Sequence, residues 1–434
     1  TLYRDRLFGA ESSAMFVCEP VHNLVHREQL SEVDGLYRSR RFPGETSSEF
    51  LASTDNWFRP VYVTTGPDGC VWVADMYRLV IEHPEWIPKD WQERLDLRSG
   101  HDRGRIYRVR PLISQPGAVP NLTSLSGAAL AARLETANGW QRDTVQRLLR
   151  ERKDMAAVPE VRRLASQGRS AEARASALWT LELLGVMRSE DAATALGDPD
   201  PRVARQAVVL LERHTDWLSS TSAALRKLPG REVRLDRQLA CSIGEWSRSD
   251  QDEIRVLSAE LFGDLALRSG GDRFVAAGLL SSLDGRLASA VLERLARPGA
   301  ADQVAEASRR QDWIVTLLEQ ATAFGAETGP ERLFQLLVVD GGDASGGDSL
   351  QRALRFFELA GRRPALAAWY RNGLKGDQKS VVETTQKLRA ACSRLLAESK
   401  GEVAPRVIAA RCLGQSLALE GTDVAADSAR SDII

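Results

Sequence analysis

The feature that most constrains the fold of this chain is a recurrence in its second part. Ala177, Ala207 and Ala240 fall 30 and 33 residues apart, and Ala259 and Ala290 fall 31 apart. Each sits in a stretch with apolar residues at helical spacing. Ala173, Ala177, Leu178, Leu181 and Leu184 share one face, as do Val203, Ala207, Leu210 and Leu211. Small residues are needed where neighbouring helices approach closely. A period of about 30 residues carrying one such position predicts helix pairs stacked into an α-solenoid. Asp198-Pro199-Asp200-Pro201 punctuates the pattern. Asp200 can cap a helix, and Pro201 suits the first helical position, where its missing N–H costs nothing. The alternative is a generic helical bundle, because the spacing loosens beyond Trp246.

Upstream the chemistry differs. Four of the five histidines and five of the six tyrosines precede residue 110, where Pro and Gly are also dense. Val61-Tyr62-Val63-Thr64 alternates, Gly66-Pro67-Asp68-Gly69 turns, and Val71-Trp72-Val73-Ala74-Asp75 runs back. Pro presets φ, Asp accepts backbone bonds and Gly takes positive φ, so this reads as a hairpin. Residues 14–18, 24–27, 49–53 and 105–109 read as further short strands. Short strands at this spacing predict a sandwich, barrel or propeller. The stretch 111–121, with Pro111, Pro116-Gly117 and Pro120, reads as an interdomain linker. The expected organisation is a β domain over 1–110, the linker over 111–121, a helical domain over 122–420 and a disordered tail or the start of a further element over 421–434. The sequence, beginning at Thr1 without signal-peptide features, reads as a segment of a longer chain.

The 434 residues carry 58 Lys+Arg against 59 Asp+Glu, a formal net charge of -1. That excludes a nucleic-acid protein working by bulk charge. The run Arg147, Arg150, Arg152, Arg162, Arg163 and Arg169 is interleaved with Glu151, Asp154 and Glu160 and reads as a solvated helical face. No apolar run approaches the ~18 residues of a membrane helix. The longest, such as Phe334-Gln335-Leu336-Leu337-Val338-Val339, are core-sized. The five cysteines show no CxxC and no CxxCH, so this segment carries neither a zinc ribbon nor a c-type haem site. Cys18 and Cys70 either bridge in an exported protein or remain buried free thiols. The glycine-rich stretch 341–348 lacks both the Lys-Ser/Thr of a phosphate loop and the Glu of an EF-hand, and reads as a loop.

Four residues carry candidate chemistry. His22 and His26 lie four apart in a strand–turn–strand and not on a helix, so no HExxH-type metal site is expected. Either imidazole could serve as a general base, or be a structural histidine bonded to backbone. Arg59, just before Pro60, could clamp an anion bidentately or pair with Asp55 or Asp75. Asp75 closes the hairpin and is a candidate cation ligand or partner for Arg78. Asp68 reads as a turn residue only. The long connection 79–103, with Glu82, His83, Trp86, Trp91 and His101, reads as a binding lid or as an aromatic plug.

The runs Phe16-Val17-Cys18-Glu19-Pro20-Val21-His22-Asn23-Leu24-Val25-His26-Arg27 and Ser53-Thr54-Asp55-Asn56-Trp57-Phe58-Arg59-Pro60 resemble segments of the planctomycete-type membrane-bound dehydrogenase family. So do residues 66–88, with Asp75-Met76-Tyr77-Arg78 and Ile81-Glu82-His83-Pro84-Glu85-Trp86-Ile87-Pro88. Asn138-Gly139-Trp140-Gln141-Arg142-Asp143 and the Asp-Pro-Asp-Pro-Arg-Val stretch resemble that family's short HEAT repeats. The resemblance implies a β + α multidomain chain: a partial β-propeller of about two blades, followed by an α-solenoid of HEAT-like helical repeats. The propeller would be similar to quinone-dependent sugar dehydrogenases. It would oxidise a sugar or alcohol-type substrate and pass electrons to a cytochrome c domain outside this segment. The resemblance allows pyrroloquinoline quinone and Ca²⁺ as cofactors, and a periplasmic or cell-envelope location. It would place His22, His26, Arg59 and Asp75 around the propeller channel as the catalytic set, with Arg59 holding a quinone carboxylate. Two other readings stay open: a non-catalytic scaffold binding a glycan or protein, with partners docking on the solenoid, and a propeller hydrolase or lactonase.

Overall fold

The computed structural model describes residues 1–9, 14–296, 347–362, 364–375, 379–397 and 403–420, with isolated positions between 309 and 334. The protein is mixed α/β, with two small antiparallel sheets followed by helices. Among the described residues no strand follows Val109.

In the first sheet, β1 (Ala14–Glu19) pairs with β2 (Leu24–Val33), and β2 pairs with β3 (Leu36–Arg41). The short β4 (Leu51–Ala52) pairs with the start of β2. Residues 1–3 run beside β1, with the Tyr3 N–H donating to the Ala14 carbonyl and the Phe16 N–H to that of Thr1. The second sheet is β5 (Pro60–Thr65), β6 (Val71–Asp75) and β7 (Arg105–Val109), in that order. Both sheets share one core. Tyr3, Ala14, Phe16 and Val25 from the first meet Val63, Val71 and Val73 from the second, all buried. The alternating strands put these side chains on one face, and each large one buried contributes about 1.5–3 kcal/mol.

The expected β5–β6 hairpin forms, with Gly69 at φ +83°. Asp68 does more than turn the chain. Its Oδ1 accepts from the Cys70 N–H and Trp72 Nε1–H, and Arg108 of β7 pairs with its Oδ2. The strand expected over 24–27 extends to Val33, and that over 49–53 shrinks to two residues. β3 was not expected, because it is exposed beyond Leu36 and shows no apolar alternation.

Residues 1–207 form one compact unit and residues 208–434 another. In the first, the β region is tied to the helices α2 (Gly127–Ala132), α3 (Gly139–Arg152), α4 (Val158–Gln167), α5 (Ala171–Leu183), α6 (Ser189–Leu196) and the start of α7 (Pro201–Leu211). (The short α1, Lys89–Gln92, lies in the connection before β7.) Asn138 Nδ2 donates to the Gly66 carbonyl at 2.9 Å and Gln141 Nε2 to that of Pro67 at 2.7 Å. The Arg4 carbonyl accepts from the Gly139 N–H, and its guanidinium grips Asp143 with both ends. The 111–121 stretch is exposed at Leu112 and Ile113, but the Gly117 N–H is fixed on the Asp68 carbonyl.

Helix ends follow their capping residues. Asn138 caps α3, Ser170 caps α5, and Asp200 accepts the Arg202 N–H where α7 starts at Pro201, as the sequence predicts. Within the unit, α2 packs on α3 and α4, α3 on α5, and α4 on α5 and α6. Most arginines of the 147–169 run face solvent. Arg162 does not: it is half-buried and bridges Asp191 at 3.0 Å and the Val186 carbonyl at 2.7 Å.

The second unit continues with α8 (Leu218–Leu225), α9 (Val233–Trp246), α10 (Asp252–Arg268), α11 (Arg273–Ser281) and α12 (Gly285–Ala296). Here α9 packs on α10 and α11, and α10 on α8, α11 and α12. Helices packing one and two neighbours along the chain are the arrangement of repeat pairs. Among the described residues after 346 the helices are Gly347–Arg362, Pro364–Lys375, Lys379–Ala397 and Val403–Glu420. Ala177, Ala207 and Ala240 are fully buried and Ala259 nearly so, whereas Ala290 is half-buried and Ala288 takes the inner place. Gly347 and Asp348, expected in a loop, open a helix instead. Residues 341–346, the expected tail 421–434 and the apolar run after Phe334 lie outside the described residues.

Candidate functional site

Arg59, at the entry to β5, joins two loops. Its Nη1 donates to the Pro20 carbonyl at 2.7 Å and to that of Val21 at 3.3 Å, both in the β1–β2 turn. Its Nε and Nη2 donate to the Arg78 and Leu79 carbonyls, just after β6. The guanidinium fork therefore holds four backbone oxygens and no carboxylate among its described bonds. The ion pair with Asp55 or Asp75 is not among them, and the N–H groups that would clamp an anion lie on backbone carbonyls. Asp55 instead caps the Trp57 N–H at 3.0 Å.

Asp75 reaches Arg59 through its backbone. Asp75 Oδ1 accepts the Arg59 and Tyr77 N–H groups, each at 2.8 Å, and the Met76 N–H donates to the Arg59 carbonyl. Tyr77 takes φ +50°, stacks beneath Arg105 at 3.6 Å and touches Trp57. Asp75 is only 3% exposed, and its Oδ2 is buried without a hydrogen-bond partner. The expected pair with Arg78 is not made; Arg78 donates to the Arg98 carbonyl.

The two histidines part company. His22 stands in the β1–β2 turn, its side chain 73% exposed and 3.5 Å from Glu19. That turn is held by Asn23 at φ +59°, whose Nδ2 donates to the Phe58 carbonyl at 2.6 Å. His26 is on β2 with Nδ1 2.7 Å from Glu49 and Nε2 3.3 Å from Glu28. The bonds from His26 and Arg41 hold the Glu49 carboxyl below the usual carboxylate range. The structure thus brings together Arg59, Asp75 and the backbone beside His22, while His26 sits in a separate carboxylate pair. Among the described residues no group of three or more His, Cys, Asp or Glu is placed to hold a metal ion. Cys18 and Cys70 are free thiols.

The 79–103 connection is built from a 3₁₀ turn at Pro84–Trp86 and α1, braced by Gln92 Nε2 donating to the Pro84 and Ile87 carbonyls. Trp86 is 82% and Trp91 58% exposed, so both rings of this connection face outward among the described residues.

A groove that sequence reasoning missed lies on α3, α5 and α7, with a volume of about 300 Å³. Trp179 lines it and donates through Nε1 to Gln206 Oε1 at 2.9 Å. Gln146 Nε2 donates to the Ser176 carbonyl and Thr180 Oγ1, and Arg202 pairs with Glu172 at 2.8 Å. Gln146, Ser176 and Gln206 are spaced 30 apart, as are Glu172 and Arg202. The signal was the same repeat, read one position away from the alanines. Among the described residues no helix is long and apolar enough to cross a membrane.

Residues 1–112 match the model of a domain of unknown function, DUF7133, which spans the β region. No curated protein matches the chain significantly. Among solved structures, an engineered protein of the Northeast Structural Genomics Consortium is 14% identical and covers 68% of this chain and 97% of its own, at a TM-score of 0.23. A designed armadillo repeat protein is 11% identical, with 66% and 98% covered and a TM-score of 0.22. A second engineered protein of that consortium is 16% identical, with 69% and 99% covered and a TM-score of 0.20. These superpositions are too loose to add to the fold described above. The likeness that bears on the site is therefore that of the first 112 residues to the uncharacterised domain.

Proposed function

We propose that this chain is a partner-binding scaffold, in which HEAT-like helical repeats present the α3–α5–α7 groove to an extended polypeptide. The observation that carries this reading is the pair of amides across the groove. Gln146 spends its NH₂ on Ser176 and Thr180, which leaves its carbonyl oxygen open. Gln206 spends its carbonyl on Trp179, which leaves its NH₂ open. One open acceptor and one open donor match the N–H and C=O of a peptide backbone. The Trp179 ring between them offers a flat surface to a side chain. In this reading the two sheets are two blades of a propeller completed by other parts of a longer, exported protein.

The test uses the whole chain and a displayed library of extended twelve-residue peptides. Selected peptides should bind, and Trp179→Ala should weaken them by about tenfold or more, roughly 1.4 kcal/mol. Its melting temperature should stay close to that of the parent. Selected peptides that bind Trp179→Ala as tightly as the parent would overturn the reading.

A second reading is favoured by the orphaned Asp75 Oδ2 and by the resemblance of residues 16–88 to dehydrogenase propellers. Here the β region belongs to a quinone-dependent oxidoreductase of sugars or alcohols that feeds a cytochrome c domain. A buried carboxylate oxygen without a donor is the kind of group a cation or substrate hydroxyl satisfies. Expressing the longer parent protein and measuring bound quinone, haem and metal by absorbance and elemental analysis tests it.

A further inference from the structure

In the second unit, the Lys379–Ala397 and Val403–Glu420 helices pack on each other and bring two thiols together. Arg389 of the first helix fixes the register. Its Nε donates to Ser416 Oγ at 3.1 Å, and its Nη2 donates to the Ser416 carbonyl at 3.3 Å and to Glu420. Cys392 lies three residues after Arg389, and Cys412 lies four before Ser416. In an antiparallel pair both steps move one turn the same way along the axis, so Cys392 falls opposite Cys412 beside the Arg389 bonds. Cys392 is 1% exposed and Cys412 is fully buried. Ala391 and Ala409 next to them are buried too, which lets the helices approach closely.

The two thiols hydrogen-bond to each other, with the Cys412 S–H as donor. That bond draws the Cys392 thiol below the usual thiol range and, with burial, pushes the Cys412 thiol up. Both are free thiols in this structure. Their surroundings limit what they can do. A structural zinc takes about four ligands, and among the described residues no third His, Cys, Asp or Glu joins these sulfurs in a group placed to hold a metal ion. A sulfur pair with no further ligand has its redox chemistry with itself.

We propose that Cys392 and Cys412 are an oxidation site, closing to a disulfide that cross-links the two helices. The oxidant is a small disulfide, RSSR, acting while the chain folds and before the sulfurs are buried. The Cys392 thiolate attacks one sulfur of RSSR, which forms a Cys392–SR bond and releases RS⁻. Cys412 then loses its proton and attacks the Cys392 sulfur, which forms the intramolecular bond and releases the second RS⁻. The cysteines give up two electrons, RSSR takes them, and the two thiol protons end on two RSH. The cysteines are 20 residues apart, so the bond restricts the unfolded chain and holds the Val403–Glu420 helix to its neighbour. The inference is independent of the peptide groove and of any oxidoreductase chemistry of the β region.

The experiment unfolds the reduced whole chain in urea and refolds it with mixtures of oxidised and reduced glutathione. Free thiols are then blocked with iodoacetamide, and the cysteines are mapped by mass spectrometry after trypsin. Peptides 390–394 and 412–430 should appear joined, lighter than their sum by two hydrogens, and should separate with dithiothreitol. Because the sulfurs are buried, dithiothreitol should cleave the bond in the folded chain at least about tenfold more slowly than in urea. Cys412→Ala, which keeps a small apolar group at a core position, should leave Cys392 open to iodoacetamide once the chain is unfolded. The mapping of the parent chain decides the matter even where that variant folds poorly. The proposal fails if both peptides are recovered blocked and unlinked at every glutathione ratio, or if they join the peptides of Cys18, Cys70 or Cys241 instead. It also fails if the bond is reduced as fast in the folded chain as in urea.

Discussion

At Arg59 a flat fork of N–H donors meets carbonyl oxygens from the β1–β2 turn and from the chain after β6. A lysine ammonium carries the same charge but cannot span both loops with one rigid plane. Arg59→Lys should therefore lower stability by about 1–3 kcal/mol, read from the urea midpoint, because two or more carbonyls lose a charged donor. An unchanged midpoint would return Arg59 to a role outside the fold. The residue types at this site were legible in the sequence: Arg59 and Asp75 do converge. Their partners were not. An Arg before a strand and an Asp at its hairpin's end look like an ion pair, yet Asp75 takes the backbone N–H of Arg59 and the guanidinium turns to carbonyls. Sequence spacing carries side-chain identity, but not whether a bond is made by the side chain or by the backbone. The partner of His26 was hidden for a related reason, since Glu49 comes from 23 residues away.

Among the elements, α9 and α11 show what the small residues do. A Cβ placed on Gly278 would sit 3.0 Å from the Ala240 Cβ and 3.3 Å from Cys241 Sγ. Gly278→Leu should then overpack the contact and cost about 1–3 kcal/mol, measured by chemical unfolding. The N-terminus of α11 makes a second prediction. Asp272 accepts the Phe274 and Val275 N–H groups and pairs with Arg237 at 2.7 Å. Arg237, more than any other neighbour, draws the Asp272 carboxyl down to about 2. A depressed carboxyl stabilises the fold once it is ionised in both states and loses that contribution as the folded form is protonated. Asp272→Asn should be less stable than the parent by about 1–2 kcal/mol near neutrality, and the gap should close between about pH 4 and pH 2. A gap independent of pH would assign the loss to packing. The alanine period revealed these helices because it reports a steric need repeated in each pair. Their ion pairs, such as Arg174 with Asp198 and Arg237 with Asp272, are spread over 24 to 35 residues and leave no simple period.

On the scale of the molecule, the seam within the first unit bears most directly on how the chain is divided. The sequence marks residue 110 as an end, because composition and strand signals stop there. Yet the Gly66 carbonyl, which takes the Gly69 N–H within the turn, also takes Asn138 Nδ2, and the Pro67 carbonyl takes Gln141 Nε2, both from the helical part. Asn138 does this while its Oδ1 caps α3 and its Nδ2 also reaches Asp5 at 2.7 Å. Cutting at 110 removes these bonds together with the Arg4–Asp143 pair, so the turn and the N-terminal segment lose their partners in the helical part. A fragment of residues 1–110 should therefore lack a cooperative thermal transition, whereas one ending after α7, at residue 213, should melt as a single unit. Asn138→Ala in the longer fragment should cost about 2–3 kcal/mol, since it removes a cap and two buried-end donors at once. Cooperative melting of 1–110 with the same midpoint as the longer fragment would show that the seam contributes nothing. The β region would then be a domain that stands by itself, as its composition suggests.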